Sequence, residues 1–268
     1  MLEWSQSLYL WINGFAGHWP ILDEIQSLLL TNDLLKGGVA GAGLIAAWYW
    51  GRSAEVQLAS RRTVLAIFLG SVAVIGTTKT VSRLTHFPRP YVLSQETSVL
   101  DHGQLRGINA LPFHVPLDHK SQDRYADLRA GTIEKNDLES FPSDHAGFFI
   151  FVSIGLCFVS RWLGAISMFW TLVFVLGSKV MAGQHSPLDI VGGALVAVIW
   201  ALVVFSWSQS LGRRFLDRAV QASLAYPSLA GVLIFLMTFE VTATFNNTHQ
   251  VLAAGKQMYR IWRSSHAI

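Results

Sequence analysis

Charge is scarce in this chain of 268 residues: Asp, Glu, Lys and Arg make up only 14% of it, against about 25% in a soluble domain. Cysteine is scarcer still. The single Cys157 lies in an apolar run, which excludes an internal disulfide and any cysteine-built zinc site. No Lys or Arg precedes Lys36, so the opening does not read as a cleaved signal peptide, which starts with a basic region. There is no internal repeat and no low-complexity segment. What is plentiful is apolar: 51% of residues are hydrophobic and ten are tryptophan. This balance excludes a disordered chain, a nucleic-acid-binding tail protein and an ordinary water-soluble enzyme. The partner it implies is a lipid bilayer, with no nucleic acid. The oligomeric state stays open.

A bilayer core about 30 Å thick takes roughly 20 apolar residues of helix. Six segments qualify, from about Leu34 to Trp50, Thr63 to Val81, His145 to Ser160, Trp162 to Met181, Leu188 to Trp207 and Tyr226 to Val241. The expected fold is therefore all-α, a polytopic membrane bundle of six transmembrane helices over residues 34–245. An interfacial segment, 1–33, precedes it and a tail, 246–268, follows. Leu8–Leu30 is apolar but interrupted by His18, Pro20, Asp23 and Glu24, which favours an interfacial or re-entrant helix over a seventh span. Arg52, Arg61, Arg62, Arg161, Arg213, Arg214 and Arg218 fall on one side of the six-span arrangement, and positive-inside reasoning makes that side cytoplasmic. Lys256, Arg260 and Arg263 run mildly against this orientation.

Residues 91–140 differ from the other connections. They hold 13 of the chain's 37 charged residues, and loops of this length are usually functional or disordered. They are expected to form an external loop or lid. His114, Asp118 and His119 within it could bind zinc, but histidines spaced this way in a charged loop are more often simply solvated.

Polar groups at membrane depth are costly and point to function first. Three clusters fall at span ends on the expected external side. Lys79, Ser82, Arg83 and Arg89-Pro90 supply positive charge, with a guanidinium fork suited to phosphate oxygens. Pro142-Ser143-Asp144-His145 reads as a capped helix start, where free N–H groups attract phosphate. His145 could give a proton to a leaving oxygen. Asp144 would repel an anion unless Lys or Arg neutralises it. In the third cluster, Ser178 and Lys179 precede His185, and Ser186-Pro187 starts a helix that places Asp189 one turn on. A carboxylate there can orient the imidazole and leave its other nitrogen to attack an electrophile. Taken alone, each cluster also has a plain reading, as a capped helix or a set of headgroup anchors.

Arg89-Pro90, Pro142-Ser143-Asp144-His145 and Ser178-Lys179 with His185 and Asp189 together resemble the type 2 phosphatidic acid phosphatase superfamily, over roughly residues 60–207. The opening from Leu8 to Asn32-Asp33 looks like that of the superfamily's bacterial undecaprenyl-diphosphate phosphatases. The resemblance implies that His185 attacks phosphorus, Asp189 orients it, and His145 protonates the leaving oxygen. It also implies that Arg89, Lys179 and Ser143 hold phosphate oxygens, and that no metal or cofactor takes part. Three departures stand out. Ser82 occupies the place of the first motif's lysine, for which Lys79 or Arg83 would substitute. Lys179 replaces the usual arginine, keeping the charge but losing the fork. Asp144 replaces a common glycine.

The expected function is removal of phosphate from a lipid phosphate or diphosphate, undecaprenyl diphosphate first, by a multi-pass protein of the bacterial cell membrane with its site facing outward. Phosphatidate, phosphatidylglycerol phosphate and lipid A are alternative substrates. Transfer of the phosphoryl group to a second lipid is an alternative reaction. A channel or transporter is the alternative of a different class, less suited because the ionisable groups gather at one side.

Overall fold

The computed structural model describes residues 2–94, 97–101, 104–108 and 111–243. The elements run α1 (Glu3–Asn13), α2 (Pro20–Thr31), α3 (Asp33–Trp48), α4 (Ala54–Thr85), β1 (Thr97–Asp101), β2 (Gln104–Ile108), α5 (His119–Arg129), a 3-10 turn (Lys135–Leu138), α6 (Asp144–Val159), α7 (Arg161–Trp170), a π-helical stretch (Thr171–Leu176), α8 (Gly177–Met181), α9 (Pro187–Gln209), α10 (Arg213–Ala225) and α11 (Pro227–Thr242). The tail 246–268 lies outside the described residues. The architecture is helical, as expected, except that the 91–140 segment contributes an antiparallel hairpin pairing Thr97 with Ile108 and Asp101 with Gln104.

The centre is α6, packed against α4, α7 and α9. Its apolar residues run all round the helix, as burial on every side requires. Phe148, Phe149, Phe151 and Leu156 are buried there with Ile67 and Val64 of α4. Caps are local and strong. The side chains of Ser143, Ser186 and Asn32 accept hydrogen bonds from the first free N–H groups of α6, α9 and α3, which have no partner inside their own helix.

All six apolar segments form helices, but length and composition qualify fewer of them as spans. Among the described residues, three helices are long and apolar enough to cross a membrane: Ala54–Thr85, the continuous run Arg161–Met181 and Pro187–Gln209. The number rises to five if each of two bent pairs is one span, α2 with α3 at 58° and α10 with α11 at 118°. The physical reason is length, since α6 is apolar but has only 16 residues, just under the usual range of about 17–25.

The opening segment divides into α1 and α2, and its polar interruptions are ties. Asn13 donates to the carbonyls of His114 and Met181, both at 2.9 Å, and accepts from the N–H of His114 at 2.8 Å. Buried Asp23 accepts from the N–H of Gly17 at 3.0 Å and of Leu117 at 3.1 Å. Ser5 accepts from the N–H of Leu188 at 3.1 Å, at the start of α9. Through these bonds α1 and α2 hold both the 111–118 strand of chain and the turn that carries His185.

Candidate active site

Three passages of chain meet at the end of the bundle: the exit of α4, the approach to α6 and the turn from α8 to α9. Backbone bonds lock them together. The N–H of Ser143 donates to the carbonyl of Asp189 at 3.0 Å, Ser140 to Phe87 at 2.9 Å, Tyr91 to Gly183 at 3.1 Å and Arg89 to Asp137 at 2.8 Å. They enclose a cavity of about 300 Å³ lined by Lys79, Arg89, Asp144, His145, Lys179 and His185. Tyr91, Arg124, Asn136, Asp137, Glu134 and Gln184 complete its wall.

His185 is 2% exposed, and its Nδ1 lies 3.1 Å from the carbonyl oxygen of Ser140. A carbonyl can only accept, so Nδ1 carries the proton and Nε2 carries the lone pair. Asp189 stands behind, with Oδ2 at 3.8 Å from the same Nδ1. That oxygen is fixed by two donors, the Ser140 hydroxyl at 2.7 Å and the Ser186 N–H at 2.6 Å. Asp189 thus serves twice, completing the capping box of α9 and facing the imidazole. Sequence reasoning placed the carboxylate directly on the ring. The structure inserts the Ser140 carbonyl, and nothing in the local pattern marked Ser140. Burial holds the His185 imidazole below its ordinary pKa; Asp189 opposes this, while nearby Arg89 and Lys179 reinforce it.

His145 is organised by its neighbour. Its Nδ1 lies 2.7 Å from Asp144 Oδ1, which also accepts the His145 N–H at 2.8 Å. The other carboxylate oxygen, Oδ2, is 2.6 Å from Lys79 Nζ. Asp144 and Lys79 therefore spend their nearest contacts on each other and on His145.

Lys179 is buried and its Nζ donates to Gln184 Oε1 at 3.1 Å. Arg89 is anchored through Nε to the Asn136 carbonyl at 2.9 Å, leaving its terminal nitrogens for a ligand. Tyr91, pushed up to about 12 chiefly by burial, stays protonated and donates to Asp137.

The remaining sequence candidates lie off the cavity wall. Ser143 is fully buried and caps α6, its Oγ accepting from the Ala146 N–H at 3.3 Å. The Ser178 hydroxyl donates back to the Phe174 carbonyl within its own helix. Arg83 is largely exposed, 4.0 Å from Glu139. Asp118 caps α5, and His119 pairs with Asp123 at 2.6 Å. Among the described residues, the group that offers three ligand atoms within 4.8 Å of one another is Asp144, His145 and His185, not the loop histidines. Its setting beside Lys79, Arg89 and Lys179 suits an anion better than a cation.

Undecaprenyl-diphosphatase BcrC of Bacillus subtilis (strain 168) is 25% identical over 215 residues, covering 78% of this chain and 86% of that protein. The putative undecaprenyl-diphosphatase YbjG of Escherichia coli (strain K12) is 25% identical over 213 residues, covering 79% and 86%. The bacitracin transport permease protein BcrC of Bacillus licheniformis is 42% identical over 79 residues, covering 27% of this chain and 36% of that protein. No solved structure matches. The PAP2 superfamily matches residues 62–213, a stretch holding all three passages that meet at the cavity, and the chain belongs to that superfamily.

Proposed function

We propose that this lipid phosphatase hydrolyses the terminal phosphate of a lipid diphosphate, undecaprenyl diphosphate before other lipids, through a phosphohistidine on His185. The observation that carries the reading is the His185 Nδ1 bond to the Ser140 carbonyl. It leaves Nε2 as the nucleophilic nitrogen of a ring lining a cavity with Lys79, Arg89, Arg124 and Lys179. Nε2 forms a bond to the terminal phosphorus as the bridging P–O bond breaks. The lipid monophosphate departs with a proton from His145 Nε2, and Asp144 supports the charged ring through Nδ1. Positive charge developing on His185 is met by Asp189. Water then attacks phosphorus, gives its proton to His145 and releases orthophosphate from His185. Arg89 and Lys179 supply the stabilisation of phosphoryl oxygens that a metal would otherwise provide, so the reaction proceeds without one.

The choice of lipid rests on the names of the two relatives matched over 86% of their length. The outward-facing site in the cell membrane rests on the arginine-rich connections, which favour the cytoplasmic side.

Purified protein in detergent with EDTA should release phosphate from undecaprenyl diphosphate, and His185→Ala should not. Terminally labelled substrate should label wild type, on an acid-labile bond, and leave His185→Ala unlabelled. Label retained by His185→Ala would overturn the nucleophile. Label passed to an added lipid instead of water would make the protein a transferase, and dependence on a divalent cation would give the three-ligand group a metal role.

A further inference from the structure

We propose that Arg124, carried into the cavity by α5, binds the second phosphate of a lipid diphosphate and so selects diphosphates over monophosphates. The inference rests on the phosphatase reading above and extends it to a residue outside the three motif passages.

The supply of hydrogen-bond donors is the first ground. Lys79 is held 2.6 Å from Asp144 and Lys179 is bonded to Gln184. Phosphate on His185 would draw on Lys179 and on the terminal nitrogens of Arg89. A second phosphate needs a further donor, and Arg124 is the other arginine lining the cavity.

The second ground is how Arg124 is held. Its guanidinium donates to the buried carboxylate of Asp137, which also receives the Tyr91 hydroxyl and, at 2.7 Å, the Glu134 N–H. The backbone of the same turn holds Arg89, through the Asp137 carbonyl to its N–H and the Asn136 carbonyl to its Nε. One short turn therefore fixes the positions of both arginines. Arg124 pairs with Asp137 and, at 3.6 Å, with the more exposed Glu134. A guanidinium has five N–H donors in a planar fork, so anchoring to Asp137 leaves others for an anion.

The third ground is what lies beyond. Tyr91, Arg124 and Gln184 also border an adjoining pocket of about 150 Å³, walled by Leu30, Phe113 and Leu128. Arg124 stands where the charged cavity meets a pocket of mixed lining, in which Asp118, Lys120 and Ser121 join these apolar side chains.

The test uses the full-length protein in detergent as wild type, Arg124→Gln and Arg124→Lys. Calorimetry would measure inorganic pyrophosphate and orthophosphate binding. Turnover would be measured on a prenyl diphosphate and a prenyl monophosphate of equal chain length. Losing a charged hydrogen bond to phosphate should weaken pyrophosphate binding and lower kcat/KM on the diphosphate by roughly 10- to 100-fold in Arg124→Gln. Orthophosphate binding and monophosphate turnover should stay within about threefold, since they make no such bond. Arg124→Lys, which keeps the ion pair, should fall between. Equal losses on all ligands in Arg124→Gln, restored by lysine, would assign Arg124 to holding the loop and overturn the proposal. So would no change, or a change confined to free pyrophosphate. Wild type that binds pyrophosphate through Arg124 yet hydrolyses no lipid diphosphate would overturn the phosphatase reading and leave this subsite standing.

Discussion

Lys79 Nζ lies 2.6 Å from Asp144 Oδ2, and the opposite oxygen of that carboxylate is 2.7 Å from His145 Nδ1. The lysine at the exit of α4 thus acts on the reaction through Asp144 and His145, and an acidic residue at a phosphate site becomes tolerable because its charge is matched. Asp144→Asn should lower kcat by roughly tenfold to a hundredfold on an unactivated lipid substrate, less than the full contribution of about 10²–10⁴ from general acid–base catalysis because His145 itself remains. With a 4-nitrophenyl leaving group, which needs little protonation, the loss should shrink to a few-fold. Equal losses on both substrates would mean that the pairing only shapes the site. Lys79→Met should raise KM, because the remaining carboxylate repels phosphate, and adding Asp144→Asn should recover part of that rise. Independent effects in such a cycle would show that the two residues do not act as a pair.

Ser140 approaches His185 and Asp189 with different atoms. Its carbonyl takes the imidazole proton and its hydroxyl fixes the carboxylate. Ser140→Ala keeps the first and removes the second. One buried hydrogen bond is worth about 1 kcal/mol, so a roughly fivefold fall in kcat is expected. KM should not move, because Ser140 does not line the cavity. Steady-state kinetics on one substrate would check this, and a change in KM alone would contradict it.

What was legible in the sequence was local. Ser143 and Ser186-Pro187 announced the starts of α6 and α9, because a cap needs only its own first turn. His145, His185 and Asp189 were visible through their spacing. Partners from distant passages were not. Ser140, Tyr91, Asp137 and Arg124 acquire meaning only once α4, α5 and α6 converge. Asp144 read as a problem for anion binding until Lys79 was placed against it. The six-span expectation finds support for three to five spans among the described residues, because hydropathy registers apolar runs but not that α3, α6 and α11 have only 16 residues each. Asp23, which looked like an interruption, is the anchor of its segment.

The pH dependence of attack follows from His185. Only the neutral ring is a nucleophile, and burial places its pKa below the ordinary value of about 6.5. The rate of phosphoenzyme formation should therefore hold as pH falls through 6.5 and decline only below it. Asp189 raises this pKa, so Asp189→Asn should move the decline to still lower pH. Lys179 lowers it, so Lys179→Met should move the decline upward. Rapid-quench measurement of labelled enzyme across pH would check all three, and shifts in the opposite directions would refute the assignment.

Asn13 ties the N-terminal helices to the loop and to the bundle through three hydrogen bonds, to His114 twice and to Met181 once. It is fully buried, so Asn13→Ala leaves its partners unsatisfied. A loss of about 2–3 kcal/mol is expected, read as a lower thermal midpoint in detergent. Proteolysis within residues 111–118 should become faster, because that stretch loses its hold on α1. An unchanged midpoint and cleavage rate would show that Asp23 and Ser5 hold the segment alone.

Where α6 meets α9, Gly193 lets two helix starts come close enough for the Ser143 N–H to reach the Asp189 carbonyl. A Cβ on Gly193 would lie 2.4 Å from the Ser143 carbonyl oxygen and 2.8 Å from the Ala146 Cβ. A backbone carbonyl cannot rotate aside as a flexible side chain can, so Gly193→Ala must push α6 away from α9. His145 would move with α6 while His185 stays with the turn before α9, separating proton donor from nucleophile. The variant should lose about 1–3 kcal/mol of stability, as overpacking does. It should lose at least tenfold in kcat as well, since small misplacements of catalytic groups are costly. Gly76→Ala provides the contrast, because nothing lies within 4 Å of its added Cβ. Alanine is favoured over glycine inside a helix by about 1 kcal/mol, so that variant should match or exceed wild type in stability and keep full activity. If Gly193→Ala behaved like Gly76→Ala, the close approach of α6 to α9 would not be what sets the distance between the two histidines.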